Sequence, residues 1–83
     1  MDKIFVDLFI PALDKNYNIE LPINLEMKYV VDKIQESLVE LTDGSYKAQL
    51  NVNLYDKSTG CLINLNNIVR YSGLKNGSSV LLF

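Results

Sequence analysis

Apolar residues recur at helical spacing in one stretch only, residues 26–41, EMKYVVDKIQESLVEL. Met27, Val30, Val31, Ile34, Leu38 and Leu41 fall on one side of a helix of about four turns. A lone helix of that length is marginal in water, so the stripe needs a surface to pack on. The rest of the chain alternates with period two and predicts short strands. Residues 3–10 (KIFVDLFI) put Ile4, Val6, Leu8 and Ile10 on one face and Lys3, Phe5, Asp7 and Phe9 on the other. Apolar residues on both faces predict a central strand. Pro11 ends it, and the polar run to Asn16 predicts a turn. Residues 17–21 alternate with Tyr17, Ile19 and Leu21 inward, which completes a hairpin that Pro22 closes.

Asn24 is the expected N-cap of the helix, and Glu26 suits its positive end. Gly44 is placed to take the left-handed conformation that ends helices. Residues 46–49 show no clear period. Residues 50–55 predict a strand, 56–60 a turn, 61–65 a short edge strand and 66–71 one tight helical turn. Gly73 and the Asn76-Gly77 pair mark turns, and residues 79–83 form the last strand. The order is hairpin, helix, strand, short strand, turn, strand. A right-handed crossover places the last strand parallel to the first at the sheet centre. The expected fold is α+β, a β-grasp of four or five mixed strands with one helix across one face.

Composition narrows the picture. At 83 residues and 48% hydrophobic content the chain is expected to form one small domain, residues 1–83, with a single core. A net charge of −2 without basic runs speaks against a nucleic-acid partner. The longest uninterrupted apolar runs are too short for a membrane-spanning helix. Charges at Asp2, Lys3 and Asp7 do not suit a secretory signal. With a single cysteine, Cys61, neither an internal disulfide nor a cysteine-based metal site can form. Together these point to a reducing, cytoplasmic setting. The absence of histidine removes the commonest general base and metal ligand. No cofactor, metal or catalytic residue is expected.

The chain resembles ubiquitin-like proteins over nearly its whole length. MDKIFVDLF followed by YNIELP resembles their opening hairpin, EMKYVVDKIQESL their helix, and YSGLKNGSSVLLF their closing loop and strand. Within that superfamily it is most similar to the YukD/EsaB family, small bacterial proteins of type VII (Ess/Yuk) secretion systems. The closing segment carries that resemblance, through Tyr71, Gly73, Leu74, Asn76, Gly77 and Val80 to Phe83. The resemblance implies a non-catalytic accessory or regulatory component of such a system. Its partner would be another component, such as the cytoplasmic part of a membrane protein, or a second copy. Conjugated modifiers and sulfur carriers of this fold end in a flexible Gly-Gly tail, because only glycine passes the narrow channel of an activating enzyme. This sequence ends Val80-Leu81-Leu82-Phe83, which disfavours that alternative. An enzymatic or small-molecule-binding domain is the other alternative, to be recognised by a deep polar pocket.

The candidate working surface is the sheet face turned away from the helix. Phe5, Phe9, Tyr55, Leu81 and Phe83 are expected there, with Phe5, Leu81 and Phe83 forming one exposed apolar patch for a protein partner. The competing expectations are that a loop covers Phe5 and Phe9, or that the register is shifted by one. Cys61 is expected to be structural. Asp56, Asp43, Glu36 and Glu40 match no calcium loop and are expected to be solvated. The outer helix face is read as Lys28, Tyr29, Asp32, Lys33, Gln35, Glu36 and Glu40. Gly73 to Gly77 is read as turn chemistry, since no strand-to-helix step precedes it as in a phosphate loop.

Overall fold

The structure is a computed structural model that describes residues 2–83. Two long strands, β1 (Lys3–Ile10) and β2 (Lys15–Pro22), form an antiparallel hairpin. One helix, α1 (Met27–Leu41), follows. The chain then adds β3 (Leu54–Asp56), β4 (Cys61–Leu62), a 3₁₀ turn (Val69–Tyr71) and β5 (Ser79–Leu82). The sheet order is β2-β1-β5-β3-β4, with β5 parallel to β1 and antiparallel to β3. This is the β-grasp arrangement expected from the period of the sequence, with the first and last strands side by side at the centre.

The core lies between α1 and one sheet face. Ile4, Val6, Leu8 and Ile10 of β1, and Val80 and Leu82 of β5, meet Met27, Val30, Val31, Ile34 and Leu38 of the helix. Each fully buried aliphatic side chain contributes roughly 1.5–3 kcal/mol. Leu41 departs from the expected stripe and is exposed. It stands on the last residue of α1, at the mouth of the groove between helix and β2.

The helix start differs from expectation, while Gly44 takes the expected left-handed conformation at the end. The N-cap is Glu26, whose side chain makes no capping bond, whereas Asn24 Oδ1 accepts from Arg70 Nη2 at 2.6 Å. Backbone carbonyls from a distant loop cap the helix instead. Met27 N–H donates to Asn67 C=O at 2.8 Å and Lys28 N–H to Leu65 C=O at 2.9 Å. At the other end the first left-handed residue is Asp43 (φ 55°), followed by Gly44 (φ 86°). Gly44 N–H reaches Val39 C=O and Asp43 N–H reaches Glu40 C=O, the paired bonds of a Schellman turn.

Three strand boundaries also shift. β2 begins two residues early, because its pairing with β1 runs through to Lys15 opposite Ile10. Of residues 50–55 only Leu54 and Tyr55 join β3, and Leu50 is wholly exposed. The β3–β5 ladder ends where Asn53 and Phe83 exchange two backbone bonds, so residues 50–52 lie beyond it. β4 stops at Leu62, because the following loop leaves the sheet to deliver Leu65 and Asn67 to the helix N-terminus.

Two polar residues are buried where solvated surface was expected. Gln35 lies in the helix–loop interface: Oε1 accepts from Tyr46 Oη (2.9 Å) and Gln49 N–H (2.7 Å), and Nε2 donates to Gln49 C=O (3.0 Å). Asp56 is buried at the end of β3, where Oδ1 accepts from Ser58 N–H at 2.9 Å in the tight turn toward β4. Tyr46, whose segment showed no period, is buried in the core.

Candidate interaction surface

The outer sheet face is built by alternation. With Ile4, Val6, Leu8 and Ile10 turned to the helix, Phe5, Asp7 and Phe9 turn away. In β5, Leu81 faces outward between buried Val80 and Leu82. In β3, Tyr55 faces outward between buried Leu54 and Asp56. Register then aligns them. Phe9 pairs with Leu81, Leu81 with Tyr55, and Tyr55 with Leu62. These four apolar side chains stand in one row across β1, β5, β3 and β4, spanning roughly 14 Å at the usual strand spacing. Phe9, Leu81 and Tyr55 are half-buried by their neighbours, while Leu62 is 61% exposed.

Phe83 extends the row by one outward position along β5, where its backbone pairs with Asn53, and it is 49% exposed. Phe5 does not join the row. It pairs with Glu20 of β2, which is bonded to Lys3 at 2.6 Å. Asp7, Asn18 and Ser79 form a polar row between Phe5 and Phe9. The expected grouping of Phe5 with Leu81 and Phe83 is therefore corrected: parallel pairing sets Phe9, not Phe5, beside Leu81. Leu62 belongs to the surface and was not among the expected residues. The expected strand ran to residue 65, and only its pairing with β3 sets Leu62 opposite Tyr55.

The row carries one cation. Lys57 Nζ sits over the Phe9 ring, 5.6 Å from its centroid. Lys57 follows the buried Asp56 and is held in place by its N–H bond to Ser79 C=O at 3.0 Å. Such a contact orients the ammonium without removing it from solvent. Cys61, adjacent to Leu62 on the edge strand, is exposed and not buried as a structural cysteine would be; its Sγ lies 3.8 Å from Thr59 C=O.

Concavities lie elsewhere among the described residues. A groove of about 330 Å³ runs between β2 and α1, walled by Tyr17, Ile19, Leu25, Ile34, Leu38 and Leu41. A shallower hollow of about 320 Å³ lies beside Gln35, under the loop that carries Leu50. Among the described residues no three side chains of metal-binding type converge, and no helix is long and apolar enough to cross a membrane.

The fold is that of ubiquitin-like domains. The ubiquitin-like domain of the Mycobacterium tuberculosis type VII secretion protein ECCD1 superposes with a TM-score of 0.74 at 16% identity, covering 99% of this chain and 98% of that one. A chain of the ESX-5 inner membrane complex gives a TM-score of 0.79 at 10% identity, covering all of this chain and 21% of that one. A chain of the toluene 4 monooxygenase HD complex gives 0.73 at 13% identity, covering 96% and 95%. At these identities the likeness is one of fold, and a shared fold does not carry a shared chemistry. No protein-family model matches the sequence, and the search of curated proteins returns no match.

Proposed function

We propose that this ubiquitin-like domain is a non-catalytic interaction module, a cytoplasmic accessory or regulatory protein of the YukD/EsaB kind in a bacterial type VII secretion system. The row Phe9–Leu81–Tyr55–Leu62 carries the reading, with Phe83 at its end. Partly exposed apolar side chains aligned across four strands form a flat surface suited to a protein partner. The likeness to a ubiquitin-like domain of a type VII secretion protein supports the setting. The sequence has no histidine, and the groove between β2 and α1 is lined mostly by apolar side chains, with Asn18, Glu20, Lys33 and Ser37 among them. Both favour binding over acid–base chemistry. The partner in this reading is another protein of the secretion system, engaged without membrane insertion. Phe5 stands apart and contributes little to the contact.

The test is co-purification of the tagged chain from its native cells, with partners identified by mass spectrometry. The wild-type chain is expected to hold a secretion-system component. A Phe9→Asp, Leu81→Asp double variant should lose it while keeping its circular-dichroism spectrum, and Phe5→Asp should retain it. A double variant that is folded and still binds would sink the surface. Partners without any secretion component would sink the setting.

A further inference from the structure

The two edges of the sheet differ. β4 closes one side and is two residues long, whereas β2 closes the other and runs for eight. A long open edge is a template for another strand unless charges, proline or bulges blunt it; in β2 the edge charge Glu20 is paired with Lys3 of β1 and the proline, Pro22, is the last residue. The direction of the free backbone groups of β2 follows from β1. Phe5 and Asp7 spend their backbone groups on the β5 side. Phe5 N–H donates to Asn76 Oδ1, Phe5 C=O accepts from Gly77, and Asp7 N–H donates to Ser78 C=O. Backbone groups alternate sides along a strand, so Ile4, Val6, Leu8 and Ile10 serve β2. Their partners Leu21, Ile19, Tyr17 and Lys15 therefore face β1. The N–H and C=O groups of Asn16, Asn18 and Glu20 point to the open edge. Among the described residues no backbone bond outside the β1 ladder reaches them.

We infer that the edge is completed by a second copy of this chain, paired antiparallel along β2 about a two-fold axis at Asn18. Asn18 then faces Asn18 of the second copy, and Asn16 faces Glu20 in both directions. Each such pair exchanges two hydrogen bonds, so every outward group of the three residues is used. No like charges stand opposite one another, and Glu20 keeps its bond to Lys3. The neighbouring registers are worse. Centred on Tyr17, the pairing sets Asp14 against Glu20. Centred on Ile19, it sets Asn16 against Pro22, which has no N–H to give. On the inner side the chosen register places Tyr17 against Ile19 of the second copy, an aromatic–β-branched pair of the kind that stabilises sheets. That pair sits at the open side of the groove walled by Ile34, Leu38 and Leu41. Edge and groove are thus closed by one contact, which leaves the row Phe9–Leu81–Tyr55–Leu62 uncovered.

Sedimentation equilibrium from micromolar to millimolar concentration tests this. The wild-type chain is expected to approach twice its 9.4 kDa mass. Asn18→Lys sets two ammonium groups against each other at the axis, on a solvent-facing position that leaves the fold intact. It should hold the chain at its single mass with an unchanged circular-dichroism spectrum. In a Cys61→Ser background, Asn18→Cys should oxidise in air to a disulfide-linked pair. Directly opposed residues lie about 5.5 Å apart, within disulfide reach. Asn16→Cys should not, since its two copies lie roughly 13 Å apart along the strands. Single mass at every concentration, a pair that survives Asn18→Lys, or equal cross-linking of both cysteine variants would overturn the inference. A partner strand from a different protein would show as the first of these outcomes.

Discussion

Gln35 shows how one side chain can serve a fold from a position that the sequence marks as surface. Its amide uses both ends, accepting from Tyr46 and Gln49 and donating back to Gln49. Loop 46–49 has no ladder of its own; this amide fixes it to α1, together with the bond from Tyr46 N–H to Thr42 Oγ1 at 2.8 Å and the burial of the Tyr46 ring. Gln35→Ala leaves the Tyr46 hydroxyl and Gln49 N–H without partners, and is expected to cost about 2–3 kcal/mol in urea unfolding. Tyr46 adds a pH dependence. Burial raises its pKa above the ordinary value, so the unfolded chain ionises first. The stabilising neutral form is fully present below about pH 10 and its contribution is lost as pH rises through the higher folded value. The thermal midpoint should therefore fall above about pH 10, and Tyr46→Phe should flatten that alkaline limb relative to wild type. A limb unchanged by the substitution would remove Tyr46 as its source.

At the scale of elements, α1 is long enough to need packing and is held at both ends by other means than its own side chains. The Leu65 and Asn67 carbonyls satisfy its first N–H groups, which ties the loop after β4 to the helix. That is why β4 is short: the chain leaves the sheet to reach the helix. At the C-terminal end Asp43 occupies a left-handed conformation and places a negative charge at the negative end of the helix dipole. Asp43→Gly relieves both and is expected to raise stability by about 0.5–1 kcal/mol, read as a higher urea midpoint. An unchanged or lower midpoint would mean that Asp43 is held by contacts worth more than its strain. Apolar periodicity located the helix and its inward stripe but could not show the N-terminal cap, which comes from residues about 40 positions away.

At the scale of the molecule, the sheet has two separate surfaces. The outer face presents Phe9, Leu81, Tyr55 and Leu62 in one row, and the β2 edge presents the backbone groups of Asn16, Asn18 and Glu20. Strands β1 and β2 join them without sharing side chains, since Phe9 belongs to the row and its β2 partner, Asn16, belongs to the edge. The two variants should then be separable. Asn18→Lys should abolish pairing of copies and leave capture of the proposed protein partner intact. The Phe9→Asp, Leu81→Asp variant should do the reverse. If both variants lose both properties, partner binding requires the paired form.

The order of elements, the apolar stripe of α1, the central position of β1 and the inward faces of β1 and β5 follow from the sequence by itself. Each depends on a local period, 3.6 for the helix and 2 for a strand, and on turn residues that mark where the period breaks. Register and recruitment depend on tertiary structure. Parallel pairing of β1 with β5 chose Phe9 over Phe5 as the neighbour of Leu81, a shift along the strand that local alternation cannot register because both residues lie on the same face. The burial of Gln35 and Tyr46 likewise waited on the loop after α1 folding back against it, and that of Asp56 on its place at the inward end of β3. Side-chain polarity fixes what a residue costs to bury, and only the folded chain decides whether a partner is there to meet it.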